Sequence, residues 1–432
     1  MKSIWQAGAL PSFEKLEGDA KTDVLVIGGG MAGLLCAHFL RQAGVDSLLV
    51  EAEAICSGVT QNTTAKITAQ HGLLYDQLLK GAGLEKARMY LEANQRALAQ
   101  YKTLCGSISC DFAEKDAYVY SLNDARKIDQ ELEALHKLGF KANFASRLPL
   151  PLNVVGAVRF PNQAQFDPLR FAAGIARGLR IYEHTRVMEL GDHVAVTPGG
   201  TIKAGKIIVA THFPFLNKHG GYFIKQYQHR SYVIALEGGP DVKGMYVDEA
   251  QNGLSFRNQA GFLLLGGGDH RTGKTGGNWA ELRDFAKLHY PDAPEGYHWA
   301  TQDCMSLDGV PYIGAYSKST PDLLVATGFN KWGMTSSMVA AMLLTDLVRG
   351  VGNPFAAVFD PSRSVWKPQL LLNGLESVVN LLTPTKPRCP HLGCALKWNE
   401  VERSWDCPCH GSRFGEGGEL LDNPANGDLQ KI

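Results

Sequence analysis

TDVLVIGGGMAGLLCAHFLRQAGVDSLLVEAE, residues 22–53, is the stretch that decides the fold. Residues 24–27 form a compact β run, Gly28, Gly29 and Gly30 turn the chain, and a helical pattern follows. A second apolar run at 47–50 ends at Glu51. Strand, Gly-x-Gly-x-x-Gly turn, helix, strand and acid, in that order, describe a dinucleotide-binding βαβ unit rather than a plain glycine-rich turn. Gly28 permits the tight turn, Gly30 lets backbone approach a pyrophosphate, and Gly33 allows close helix–strand packing. The helix N-terminus offers free amides and a positive dipole end to the phosphates. Glu51, 18 residues beyond Gly33, is placed to accept hydrogen bonds from ribose hydroxyls. FAD and NAD both remain open at this point.

Two later segments separate them. GKIIVATHFP, residues 205–214, is another buried strand ending in a small-residue turn. DLLVATGFNKWGMTSSMVAAMLLTDLVRG, residues 322–350, reads as strand, Gly-rich turn around Gly328 and Gly333, and an apolar-faced helix from about Met334 to Val348. Such a helix start directs amides at the electron-rich pyrimidine end of a flavin. One nucleotide-binding unit plus two returning strands suggests an interrupted α/β domain wrapped around one extended cofactor, FAD.

Here the chain resembles the FAD-dependent oxidoreductases of the glycine oxidase and D-amino-acid oxidase family. The resemblance rests on the fingerprint with Glu51, on SGVTQNTTAKITAQHG (57–72), on DGVPYIG (308–314) and on ATGFNKWGMT (326–335). It implies a glutathione-reductase-type, Rossmann-like FAD-binding domain with an α+β substrate domain. It also implies FAD contacts at Gly28, Gly30, Met31, Ala32, Gly33 and Glu51, at Ser57, Thr63 and Thr64, at Ala210 and Thr211, and at Gly328, Gly333, Met334 and Thr335. The usual Ala-Thr-Gly of the middle strand is Ala210, Thr211, His212 here. FAD-binding parts are expected at about 20–78, 147–215 and 301–365, with substrate-domain parts at about 79–146 and 216–300. Residues 81–145 read as amphipathic helices, and Asp167 is suited to cap another. From 220 to 268 the pattern turns to β alternation lining a substrate cavity. Arg230 is the candidate to pair a substrate carboxylate bidentately, with Tyr232 to orient it. Lys66 and His71 are candidates beside the flavin, and Tyr227, His229 and His270 are further polar residues of the cavity.

Near the C-terminus, CPHLGCALKWNEVERSWDCPCHGSRF (389–414) packs four of the nine cysteines into one short stretch. Cys389-x-His391 is followed after fifteen residues by Cys407-x-x-His410. Two thiolates and two imidazoles in paired short spacings suit a tetrahedral metal such as zinc, or an iron–sulfur centre. Extra cysteines and Gly-containing loops in both boxes favour iron and sulfur. The string resembles the two boxes of Rieske [2Fe–2S] proteins. That resemblance implies Cys389 and Cys407 on one iron, His391 and His410 on the other, a disulfide between Cys394 and Cys409, and Ser412 donating to a bridging sulfide. Neutral imidazoles raise the potential, to about −150 to +300 mV across the class. NPANGDL (423–429) resembles the proline loop covering such clusters. The all-β module at 389–432 is shortened, since residues 366–388 before it read as a linker and a short helix.

Composition excludes other classes. With 43 basic and 43 acidic side chains, the 432-residue chain has no electrostatic footprint for nucleic acid. No stretch approaches the roughly 18 apolar residues of a membrane span. The N-terminus has no apolar signal core and carries Glu14, Glu17 and Asp19, so a cytoplasmic protein is expected. Cys36, Cys56, Cys105, Cys110 and Cys304 read as buried free thiols. The expected activity is oxidation of a small amine or amino acid by hydride transfer to flavin, with electrons passing through the cluster to a one-electron acceptor. The alternatives are inward flow from a reduced donor, as in a reductase or oxygenase component, and a structural or redox-sensing metal tail.

Overall fold

The computed structural model describes residues 2–5, 10–216, 219–364, 368–384 and 387–429. Its first sheet follows from the apolar runs of the sequence. Ala20–Ile27 lies between Ser47–Val50 and Gly200–Val209, and Leu323–Thr327 follows, all parallel. Residues 24–27 are buried on both faces, as strands covered on two sides must be. Tyr312–Ala315 closes one edge antiparallel, and Ile181–Tyr182 lies at the other. The helices Met31–Gln42 and Gly333–Val348 pack together against this sheet, burying Leu34, Leu35, Met338 and Leu344 in one core. Each such side chain contributes about 1.5–3 kcal/mol relative to exposure.

The second sheet has nine strands. Its long members are Gln226–Glu237, Phe262–Arg271 and Glu295–Ser306 at one side and Ala113–Ser121 and Gly156–Gln165 at the other. Three expectations are revised here. Residues 81–145 are not all helical, because Ala113–Ser121 is a strand between the helices Tyr75–Cys105 and Ala125–Lys137. Its alternation is confined to the buried end, so the pattern is weak. Gly156–Gln165 belongs to the substrate sheet and not to the FAD-binding part, and Glu295–Ser306 continues that sheet past residue 301. A β strand read alone carries no label saying which sheet it joins; pairing partners distant in sequence decide it. Asp167 caps its helix as expected, accepting from Leu169 N and Arg170 N.

The C-terminal module is a four-stranded antiparallel sheet, Lys397–Asn399, Ser404–Asp406, Arg413–Phe414 and Leu420–Asp422. The helix Pro368–Leu382 precedes it. Residues 366–367 of the expected linker fall outside the described residues, as do 385–386. Among the described residues no helix is long and apolar enough to cross a membrane.

Candidate active site and cluster site

A cavity of about 1030 Å³ runs from the first glycine turn into the space between the two large sheets. Gly28 has φ +108, and a Cβ there would sit 2.6 Å from Ala210 O. At Gly33 a Cβ would fall 1.9 Å from Gly28 O, so both glycines are demanded by the chain's own packing. Gly30 differs. Its Cβ would meet nothing closer than Thr60 Oγ1 at 3.6 Å, so the space it leaves belongs to the cavity. First-turn amides have no intrahelical acceptor, and Thr60 Oγ1 takes only that of Met31, at 3.1 Å. Glu51 accepts from Gly29 N at 2.6 Å and from Glu53 N at 3.0 Å, which fixes it at the cavity wall. Burial raises its carboxyl above the ordinary range.

Met31, Ala32, Ser57, Thr63 and Thr64 line the same cavity, as do Ala210 and Thr211. So do Gly333 and Met334. Gly33, Gly328 and Thr335 lie behind the lining. Gly328 makes a turn with φ +72, and Thr335 donates to Thr68 O at 3.0 Å. His212, which stands where a glycine was expected, adopts the left-handed conformation with φ +68 and lines the cavity. Burial, opposed by nearby Asp422, lowers its pKa to about 4.

His71 also reaches the cavity, but both ring nitrogens are committed. Nδ1 lies 2.6 Å from Tyr90 Oη, and Nε2 lies 2.9 Å from both Thr68 O and Thr335 Oγ1. Its ring stacks on Trp332 at 5.1 Å. Burial pulls its pKa down to about 3, so the ring is neutral. The structure therefore gives His71 a positioning place in the wall. Lys66 Nζ donates to Thr64 Oγ1 at 3.1 Å, and burial followed by Arg257 lowers its pKa to about 7.

Strand alternation builds the substrate wall. In the paired strands Gln226–Glu237 and Glu295–Ser306, Tyr227, Ser231, Thr301 and Asp303 line the cavity. Asp303 was not anticipated, although its place two residues from Thr301 on an alternating strand is the signal that finds it. Burial, offset by Lys331, raises its pKa to about 6. Lys331 itself pairs with Asp269, and both line the cavity.

Alternate residues of those strands face the other way. Gln228 Nε2 donates to His410 O at 3.1 Å and Asn423 O at 2.8 Å, and Gln302 Nε2 donates to Gly411 O at 2.8 Å. Arg271 Nη2 reaches Cys409 O at 3.2 Å. The expected role of Arg230 as a substrate clamp is corrected here: its guanidinium faces the C-terminal module and is taken by Glu402, with Nε 3.0 Å from Oε1. Tyr232 borders the cavity, but its hydroxyl donates to Glu402 Oε1 at 2.9 Å and lies 2.9 Å from His270 Nε2. Alternation alone could not say which face of these strands another domain covers.

The two cysteine–histidine loops share one hydrogen-bond frame. Cys389 N donates to Cys394 O, and Gly393 N to Cys389 O. Cys407 N donates to Ser412 O, and Gly411 N to Cys407 O. Gly393 and Gly411 supply the positive φ each loop needs. A disulfide joins Cys394 to Cys409. The rings of His391 and His410 stand at 85° with centroids 4.9 Å apart. Among the described residues neither ring nitrogen of His410 meets an oxygen or nitrogen partner, and the Cys407 thiol lies beside the ring, a costly state for a buried polar group unless it is a ligand. Cys389 and Cys407 are buried free thiols. This donor set fits a [2Fe–2S] centre, and the proline loop closes over it through Ala425 N to Ser412 Oγ at 3.0 Å.

Residues 23–347 match the family described as DAO, FAD dependent oxidoreductase. The chain belongs to that family. Residues 371–432 match the Rieske [2Fe-2S] domain, so the family boundary falls within the helix Pro368–Leu382, earlier than residue 389. Over its whole length the chain is 35% identical to YhfW of Bacillus subtilis, which bears the name of a Rieske 2Fe-2S iron-sulfur protein, and it covers 97% of that relative. It is 24% identical to gamma-glutamylputrescine oxidoreductase of Escherichia coli, over 80% of this chain and 88% of that one. The fold is shared with glycine oxidase from Geobacillus kaustophilus, at TM-score 0.67 and 20% identity, covering 80% of this chain and 100% of that one. The protein is an FAD-dependent oxidoreductase with a C-terminal Rieske domain, and its cofactors are FAD and a [2Fe–2S] cluster.

Proposed function

We propose that this DAO-family protein oxidises a small amine and passes the electrons through its Rieske cluster to a one-electron acceptor. When bound, FAD accepts a hydride as an electron pair and a Rieske centre carries one electron at a time; an amine losing two electrons and two protons leaves as an imine. The observation that carries the reading is the shared wall. Two neighbouring strands present Tyr227, Ser231 and Asp303 to the cavity and Gln228 and Gln302 to the cluster loop.

An amine is favoured over an amino acid by the charges available. Among the described residues Arg230 is committed to Glu402, Arg186 to Glu53 and Lys331 to Asp269. Among the described residues no guanidinium is left facing the cavity to clamp a carboxylate, and Lys66, which also lines it, is bonded to Thr64 and brought down to about 7 by burial. Asp303, by contrast, has no ion pair among the described residues and lines the cavity, where it can hold an ammonium group. The relative from Escherichia coli, named as an oxidoreductase of gamma-glutamylputrescine, agrees with an amine-bearing substrate.

The test is anaerobic mixing of the holoprotein with a panel of amines and amino acids, following flavin absorbance and the cluster's EPR signal. Flavin bleaching followed by a reduced-cluster signal, without added reductant, is expected with amines. Bleaching with the cluster left oxidised would defeat the relay. Reduction of flavin only through a pre-reduced cluster would favour inward flow.

A further inference from the structure

The helix Pro368–Leu382 is docked with its polar side inward. Asn373 and Asn380 are 2% and 4% exposed. Asn373 Oδ1 accepts from Arg271 Nη1 at 2.9 Å, Asn373 Nδ2 donates to Ile224 O at 3.2 Å, and Glu376 pairs with Lys274 at 2.7 Å. Its aliphatic side faces outward. Leu371, Leu375, Val378 and Leu382 form a ridge, each 53% exposed or more, and Leu371 and Leu382 reach 75% and 77%. At about 100° per residue these four lie along one narrow stripe. Leu372, Leu375 and Val379 border a groove of about 760 Å³ whose other walls are Ala395 and Leu396 together with polar side chains that include Tyr227, Arg271 and Lys397.

Water-facing leucines on a helix normally cost little singly, but a continuous stripe is different. This face offers on the order of 600 Å² of aliphatic surface, at the upper end for the largest patch on a typical monomer, and near the roughly 800 Å² that each partner buries in a standard interface. Its composition narrows the occupant. An interfacial lipid-binding helix carries Lys and Arg along its polar side; here the one ionisable residue, Glu376, is acidic and turned to Lys274. The stripe also lacks the Trp, Tyr and Arg anchors that dominate transient interfaces. Obligate homodimer interfaces are more apolar than transient ones, and this face is aliphatic.

We propose that this face is the contact between two copies of the chain. A two-fold axis makes an interface self-complementary, and ridge and groove lie side by side on the same surface. Each copy's ridge of Leu371, Leu375, Val378 and Leu382 then packs along the other copy's ridge and against the apolar lip that Leu372, Val379 and Leu396 give the groove. The helix is fixed to both the flavin domain and the Rieske domain, so the contact joins whole protomers.

The test is sedimentation equilibrium of the holoprotein at micromolar concentration, with Leu375→Lys and Leu382→Lys as variants. The wild type is expected at twice the 47.0 kDa chain mass, and each variant at least tenfold weaker in association with its flavin and iron content unchanged. Amide hydrogen exchange of the wild type gives a second readout needing no variant: residues 370–382 become protected as concentration rises. A wild type that stays monomeric at tens of micromolar overturns the proposal, as does a dimer indifferent to both variants. So does a monomer that floats with phosphatidylglycerol vesicles, which would assign the face to lipid.

Discussion

Arg230 of the substrate sheet and Glu402 of the Rieske domain form a buried ion pair, with Glu402 fully enclosed and Arg230 4% exposed. Glu402 also accepts from Arg413 Nη2 at 2.9 Å and from Tyr232. The pair is therefore the centre of a network that spans the junction between the two cofactor domains.

Removing Glu402 leaves the enclosed Arg230 with only Asp422 at 3.9 Å, while Arg413 keeps Asp406 and Asp422. Glu402→Ala is expected to destabilise by about 3–5 kcal/mol. Burial pushes this carboxyl up, but Arg230 and Arg413 outweigh burial and hold it at about 2, below its ordinary 4.5. A depressed carboxyl stabilises above its unfolded value, and that stability is lost as pH falls from 4.5 toward 2. Thermal melts across this window should fall more steeply for the wild type than for the variant.

Asp303 sets a second pH dependence. With its pKa raised to about 6 by burial, it is a neutral acid below that pH and a carboxylate above it. If it holds the substrate ammonium group, kcat/KM for amines falls as pH drops through 6. Asp303→Asn is expected to raise KM about tenfold or more, since a hydrogen bond to a charged group contributes about 1.5–3 kcal/mol, and to abolish that inflection. Steady-state pH profiles of both proteins check it.

Two glycines of one turn should fail differently. Gly33→Ala forces a Cβ into Gly28 O, so the helix Met31–Gln42 must shift, at a cost of about 1–3 kcal/mol. Gly30→Ala meets only an ordinary contact with Thr60 and should melt within about 1 kcal/mol of wild type when both are freed of FAD, while binding FAD at least tenfold more weakly. Denaturation of the apoproteins with FAD titration separates the two.

The disulfide ties the two ligand loops across fifteen positions of sequence. A loop of that size restrains the unfolded chain by about 3 kcal/mol. Replacing Cys394 and Cys409 with serine should lower stability by up to that amount and release iron and sulfide faster under chelator challenge. Iron counts against time provide the measurement.

Local signals carried much of this architecture. The glycine turn, Glu51 and the helix after Gly333 were legible because their chemistry sits in short contiguous motifs, and so were the two cysteine–histidine boxes. Asp303, Thr60 and Trp332 were not, since Thr60 matters through the helix start at Met31, Trp332 through distant His71 and Asp303 through a neighbouring strand. Arg230 illustrates the limit: alternation placed it on a sheet face, yet only the packed Rieske domain reveals that the face is the outer one. The helix Pro368–Leu382 carries the same lesson, because the segment reads only as a linker and a short helix while the fold turns its leucines to solvent.

Gln228 and Gln302 clasp the His410 loop to the strands that also wall the flavin cavity. A cluster so held stays at a fixed distance from the cavity rather than riding on a swinging arm. Its turnover with substrate should then be set by distance and driving force, and be indifferent to the viscosity of the medium, which would slow any domain that had to travel.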